Sequence, residues 1–252
     1  MAVTFAAGTL LHRSDRGGAG AGDVPSADPV HSPRTPRVDP LVRRRVVLGR
    51  SSQGRPISAV ELGDPDTPSK ILVVGCIHGN ETAGIDIARR LPRLSLQAES
   101  DLWVIDDLNP DGTAAGTRQN ARGVDLNRNF PYRWRRLGQR GDQQFSGAGP
   151  LSEPESRIAH ALILRLRPAV TVWFHQPLGV VDESGGSLAL QRRFARLVGL
   201  PTRRLARYPG SAVGWQNHRL PRTTAFVVEL PSGPLSPRQL AGQASGIRAL
   251  AR

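Results

Sequence analysis

The sequence predicts a three-layer α/β sandwich with a mixed, largely parallel sheet flanked by helices, and two observations predict it. First, apolar strand-like runs alternate with helix-like segments after an opening hairpin. Second, the most apolar run, Ile71-Leu72-Val73-Val74, shows no polar alternation, as expected of a strand covered on both faces. The 252 residues, 38% of them hydrophobic, suffice for one substantial core.

Residues 1–41 are rich in Gly, Ala, Pro, Ser, Asp and Arg and lack periodicity. They read as a disordered extension ahead of a catalytic domain over 42–252. Ala2 to Leu11 are mildly apolar, but no basic segment precedes them. A cytoplasmic location is therefore favoured, with export open if the start codon is misassigned.

Arg45-Val46-Val47-Leu48 and Ile57-Ser58-Ala59-Val60-Glu61 flank a turn at Ser51-Ser52-Gln53-Gly54 and predict an antiparallel hairpin. The strand at 70–76 is followed by a helix from Thr82 to about Leu91. Leu102–Ile105 is a strand ending in the turn Asn109-Pro110-Asp111-Gly112. From Thr113 to Pro150 no period is visible, and loops of that length usually carry function. Ser152-Glu153-Pro154-Glu155 predicts a capping box opening a helix to about Leu166. Ala169–Phe174 is a buried strand ending at His175, Leu188–Val198 a helix, Thr223–Leu230 the last strand, and Ser236-Pro237 the start of a closing helix.

The formal charge of +13 would suit a polyanionic partner, yet the positive residues are scattered and all but Lys70 are arginine. With no aromatic-interleaved basic stripe, no nucleic-acid partner is expected. No apolar run approaches twenty residues, so no membrane span is expected. Cys76 is the only cysteine, which excludes an internal disulfide. At the end of an apolar strand it reads as a small buried thiol.

The chemistry concentrates in Gly75-Cys76-Ile77-His78-Gly79-Asn80-Glu81. A strand that breaks there leaves an imidazole and a carboxylate at the C-terminal rim of the sheet, able to reach one cation. The alternative is a satisfied strand-end histidine, with Asn80 capping the helix. His175 is the natural third ligand, because parallel strands bring their C-terminal ends to one edge. His12 and His31 lie in the extension, His160 in a helix and His218 among loop residues. Glu229, closing the run Phe226-Val227-Val228, is costly to bury without a partner. Beside a zinc-bound water it would serve as general base and acid; otherwise it faces solvent. Arg118 and Arg122 supply loop cations that could bind a carboxylate or an oxyanion, or simply be solvated.

His78-Gly-Asn-Glu81, Asn109-Pro-Asp-Gly112, Gly123-Val-Asp-Leu-Asn-Arg-Asn-Phe-Pro131, Ser152-Glu-Pro-Glu155, Phe174-His-Gln-Pro177 and Val228-Glu-Leu-Pro231 together resemble the M14 zinc carboxypeptidases, with the nearest likeness to their murein peptide amidase branch. The resemblance spans about residues 42–252. It implies one zinc ion per chain, with His78, Glu81 and His175 as ligands and Glu229 as general base and acid. It further implies Arg118 as the oxyanion-stabilising group, Asn127 and Arg128 as the holders of the substrate carboxylate, and Tyr208 as a mobile phenol over the substrate.

The implied activity is hydrolysis of an amide bond next to a free carboxylate, on small cell-wall-derived peptides such as γ-D-Glu-diaminopimelate. Gln176 departs from the Asp that amidase members carry there. Val213 occupies the pocket region where basic-specific carboxypeptidases place an acid. Asp182 and Glu183 could read the extra ammonium of a diamino acid, or form a solvated turn. Two other readings are an N-acyl amino acid deacylase and a non-catalytic binder of an anionic envelope polymer.

Overall fold

The computed structural model describes residues 42–93 and 100–250. The expectations for residues 1–41 fall outside them. Eight strands form one sheet in the order β1-β2-β4-β3-β5-β8-β6-β7. The strands are β1 (Val42–Arg50), β2 (Pro56–Gly63), β3 (Lys70–Val74), β4 (Asp101–Ile105), β5 (Val170–His175), β6 (Leu178–Asp182), β7 (Thr202–Arg203) and β8 (Thr224–Pro231). Strands β4, β3, β5 and β8 run parallel at the centre, while β1 pairs with β2, β2 with β4 and β6 with β8 in antiparallel fashion.

The helices are α1 (Ala83–Arg90), α2 (Pro110–Ala115), α3 (Pro154–Leu166), α4 (Leu188–Val198), α5 (Ala212–Arg219) and α6 (Pro237–Leu250). Alternation along β3 divides the core. Ile71 and Val73 join Ile87, Phe194 and Ile247 from α1, α4 and α6 on one face. Leu72 and Val74 join Ile163 and Trp215 from α3 and α5 on the other. The three layers predicted from the unalternating apolar run are therefore present.

Chain connectivity places the site. From β3 the chain crosses to β4 on one side and later returns to β5 on the other side of β3. The order reverses there, and a crevice opens beyond the C-terminal ends of β3 and β5.

Several local expectations are corrected. Asn109-Pro110-Asp111-Gly112 is the first turn of α2, with the Asn109 side chain accepting from the Gly112 amide at 3.0 Å. The N-terminal cap of α1 is Thr82, not Asn80. Ser152 and Glu155 form no capping box: Glu153 is the cap residue, and the Glu155 carboxylate accepts from the Ser52 amide and the Asn120 side chain instead. Longer-range partners won the competition for that carboxylate. Neither β6 nor α5 was anticipated, and His218, expected among loop residues, lies in the last turn of α5.

Asp111 ties α2 to the turn between β1 and β2. Its carboxylate is buried and accepts from the Ser51 and Ser52 hydroxyls, the Gln53 amide and the Arg55 guanidinium. Burial alone would raise its pKa, but Arg55, Ser51, Gln53 and Ser52 outweigh it and hold the carboxyl below the usual aspartate value. A depressed carboxylate pKa contributes stability above the unfolded value, and that stability is lost as pH falls through the folded value. Asp111→Asn should therefore cost about 2–3 kcal/mol at neutral pH. Urea unfolding at pH 7 and at progressively acid pH should show the gap from the unaltered protein closing.

Candidate metal centre and substrate cleft

His78 lies four residues past the end of β3, on a turn that Gly79 makes possible: a Cβ there would sit 2.0 Å from the Gly112 carbonyl carbon. The Asn109 side chain holds this turn by donating to the Ile77 carbonyl at 3.1 Å. Glu81 follows one turn later, its amide bonded to the His78 carbonyl at 2.9 Å. His175 is the last residue of β5 and pairs in register with Glu229 on β8.

His78 Nδ1 and His175 Nδ1 are 3.1 Å apart. The Glu81 carboxylate reaches them at 3.0 and 2.9 Å respectively. All three residues are buried. Two imidazole lone pairs and a carboxylate facing one another without a cation would be unfavourable in a buried place. Ligands about 2.1 Å from a tetrahedral zinc stand about 3.4 Å apart, close to these spacings, and the nitrogen and oxygen donors are those zinc accepts. The residues present fit the ion.

Asp125, a residue the sequence reasoning did not single out, supports this cluster. Its Oδ1 accepts from His78 Nε2 at 3.1 Å, and its Oδ2 from Arg118 Nε at 3.0 Å. A proton held on Nε2 leaves the Nδ1 lone pair free for a metal. Burial alone would lower the His78 pKa, but Asp125 and Glu81 raise it above the ordinary value. Burial would raise the Asp125 carboxyl, but His78 and Arg118 hold it well below the usual range.

Arg118 also donates to Glu81 Oε1 at 3.1 Å, so it bridges a metal-cluster carboxylate and the carboxylate behind His78. Arg122, its neighbour in the loop, turns away; its guanidinium is 3.9 Å from Glu153. Gln176 does not orient a histidine with its side chain. Its amide donates to Glu81 Oε2 at 3.2 Å, and its carboxamide ties the Ala83 amide to the Pro231 and Gly233 carbonyls. Cys76 is buried and free, as expected, and burial pushes its thiol pKa strongly up.

A cleft of about 920 Å³ opens over this cluster. Glu229 lines it, half-buried, with Oε2 lacking a hydrogen-bond partner; burial, reinforced by the charge of Glu81 and opposed by His175, raises its carboxyl above the usual glutamate value. Asn127 and Arg128 line the same cleft. The Asn127 side chain accepts from the Ala212 amide at 3.0 Å. Arg128 is 4% exposed, donates to the Asn127 carbonyl, and leaves its Nε unpartnered. Tyr208 lies across it, ring centroid 4.0 Å from the guanidinium carbon. Gly210, with φ of +70°, brings the Tyr208 loop against the Arg128 carbonyl, where a Cβ would sit 2.1 Å away. His78, Glu81, His175, Glu229, Arg118, Asn127, Arg128 and Tyr208 thus line one crevice, whereas Arg122 and Glu183 are not part of its lining.

A model of the zinc carboxypeptidase family matches residues 37–178, and the chain belongs to that family. It is a hydrolytic enzyme whose cofactor is zinc, which sets aside the non-catalytic binder. The chain is similar to murein peptide amidase A of Escherichia coli strain K12, 33% identical over 180 residues covering 66% of this chain and 74% of the relative. It is 35% identical to murein peptide amidase A of Vibrio campbellii over 216 residues, covering 79% and 84%. The crystal structure of murein-tripeptide amidase from Escherichia coli O157 superposes with a TM-score of 0.66 at 28% identity, covering 86% of this chain and 96% of that one. Carboxypeptidase A of Helicoverpa armigera shares the fold, with a TM-score of 0.69 at 19% identity over 83% and 68% of the two chains.

No helix among the described residues is long and apolar enough to cross a membrane.

Proposed function

We propose that the enzyme cleaves the amide bond between γ-D-Glu and a diamino acid in small cell-wall-derived peptides, with His78, Glu81 and His175 holding one zinc ion. The convergence of these three side chains with Glu229 and two incompletely partnered arginines in one cleft carries the mechanism. The similarity to murein peptide amidases over most of both chains supports the substrate class. The family matched is that of the carboxypeptidases, so the deacylase reading has no comparable support.

When bound, zinc supplies Lewis acidity, polarising the scissile carbonyl and making a water acidic enough to ionise near neutrality. The chain's own groups do the rest. Arg128 anchors the free carboxylate of the substrate: a buried guanidinium with an unpartnered Nε is poised for an anion, and Asn127 stands beside it. Tyr208 covers that anchor and screens it from water. Glu229 takes a proton from the attacking water on a carboxylate oxygen and returns it to the leaving amine. Arg118 keeps N–H groups in hand after bonding Glu81 and Asp125, since a guanidinium carries five, and directs them at the developing oxyanion.

The test is to offer the zinc-loaded protein γ-D-Glu-diaminopimelate peptides beside ordinary C-terminal dipeptides and N-acetylated Asp and Glu. Turnover of the first set is expected to dominate. Preferential release of acetate would move the enzyme to the deacylases, and preference for ordinary dipeptides would make it a general carboxypeptidase.

A further inference from the structure

The cleft contains an acid and a base that belong to neither the metal cluster nor the carboxylate anchor. Asp182 is the last residue of β6, 6% exposed, and lines the cleft. Val180 pairs in register with Glu229 across β6 and β8. Two residues further on, Asp182 lies on the same face of the sheet, about 7 Å along the strand from that pair. Its Oδ1 accepts from the Ser184 amide at 2.9 Å and the Leu205 amide at 3.0 Å, and Oδ2 from the Ser184 hydroxyl at 2.5 Å. That leaves acceptor capacity on Oδ2 and, among the described residues, no ion pair.

Arg207, on the loop before Tyr208, lines the same cleft, and its guanidinium donates to the Ser184 carbonyl. It too makes no ion pair among the described residues. Ser184 therefore separates a carboxylate from a guanidinium that line one cleft without neutralising each other. Glu183, the other acid of this turn, is spent on Arg192 at 3.0 Å. Val213 and Val227 add apolar lining to the same cleft.

We infer that Asp182 and Arg207 form a subsite for a zwitterionic side-chain head, the ammonium facing Asp182 and the carboxylate facing Arg207. This deepens the proposed substrate class and rests on it. A diamino dicarboxylic acid presents its first carboxylate to Arg128, a short methylene chain to Val213 and Val227, and its second amino acid head to this pair. Lysine offers the ammonium alone and leaves Arg207 unanswered. A monoamino dicarboxylic acid leaves Asp182 facing no cation. Asp182 is buried, so a ligand that leaves it unanswered strands a desolvated charge, whereas Arg207 is exposed and discriminates only through the contact that is lost.

The experiment uses three γ-D-Glu peptides ending in diaminopimelate, lysine or 2-aminopimelate, with zinc-loaded protein. The diaminopimelate peptide should exceed each of the others by about tenfold in kcat/KM. Asp182→Asn, which retains the Oδ1 acceptor for both amides, should bring the diaminopimelate to 2-aminopimelate ratio close to one. Arg207→Gln should do the same for the diaminopimelate to lysine ratio. A variant that lowers all three substrates alike, or an unaltered enzyme that does not distinguish them, overturns the subsite while leaving the amidase reading in place. Calorimetric titration with free diaminopimelate, lysine and 2-aminopimelate separates the opposite case. Charge-selective binding there, with no γ-D-Glu peptide cleaved, keeps the subsite and rejects the bond assignment. Equal binding of all three rejects the subsite directly.

Discussion

Glu229→Gln is expected to lower kcat by about a thousandfold while zinc content stays at one equivalent. The substitution keeps the shape and one oxygen acceptor but removes the capacity to take a proton. Glu229 is held on β8 by its in-register pairing with His175, yet it is not one of the three mutually facing donors, so zinc has no reason to leave. Its Oε2 has no hydrogen-bond partner, and burial raises its pKa, both of which favour an oxygen that accepts a proton during turnover. The ionised form is the working one, so the rate of the unaltered enzyme falls as pH drops through the Glu229 pKa, and the variant loses that dependence. Metal analysis and turnover on one sample decide the matter. Full activity in the variant removes Glu229 from the chemistry, and loss of zinc would make it part of the metal's support instead.

Much of this site was legible because its strongest elements end apolar runs. His175 and Glu229 stand out in sequence as polar residues closing strands with no solvent face, and the fold makes them neighbours in adjacent parallel strands. His78 and Glu81 were legible from the turn that follows β3. Asp125 was not: it sits among the polar residues of a loop without period, and only the packing of that loop against the β3 turn turns it towards His78. The same loop makes Arg118 and Arg122 indistinguishable in sequence, whereas one meets two buried carboxylates and the other is exposed, 3.9 Å from Glu153.

The unanticipated elements have related causes. β6 follows Pro177 and includes Gly179 with φ of +63°, so its local preference is a turn, and pairing with β8 makes it a strand. α5 contains Gly214 and has little apolar periodicity; it is fixed by burying Trp215 and by the Ser211 cap. The Ser152–Glu155 pattern has the spacing of a capping box, but Asn120 and the hairpin turn offered Glu155 partners that no local rule contains.

Arg118→Ala is expected to lower kcat by about a hundredfold or more, with a smaller change in KM, because the lost hydrogen bond is one that strengthens as the oxyanion forms. The structure adds a second consequence. Arg118 is the guanidinium joining Asp125 to Glu81, at 3.0 and 3.1 Å, and without it two buried carboxylates keep only the imidazoles and backbone as partners. Zinc affinity should therefore weaken about tenfold or more, as it does when groups that hold metal ligands are removed. Arg118→Lys separates the two effects. One ammonium restores a charge near Glu81 and Asp125, so it should recover zinc affinity, but it cannot span both carboxylates and still face the substrate, so kcat should stay low. Competition with a zinc chelator, alongside single-turnover rates at saturating zinc, reads the two separately. If lysine restored both, the positive charge alone would suffice and the bridging geometry would be irrelevant.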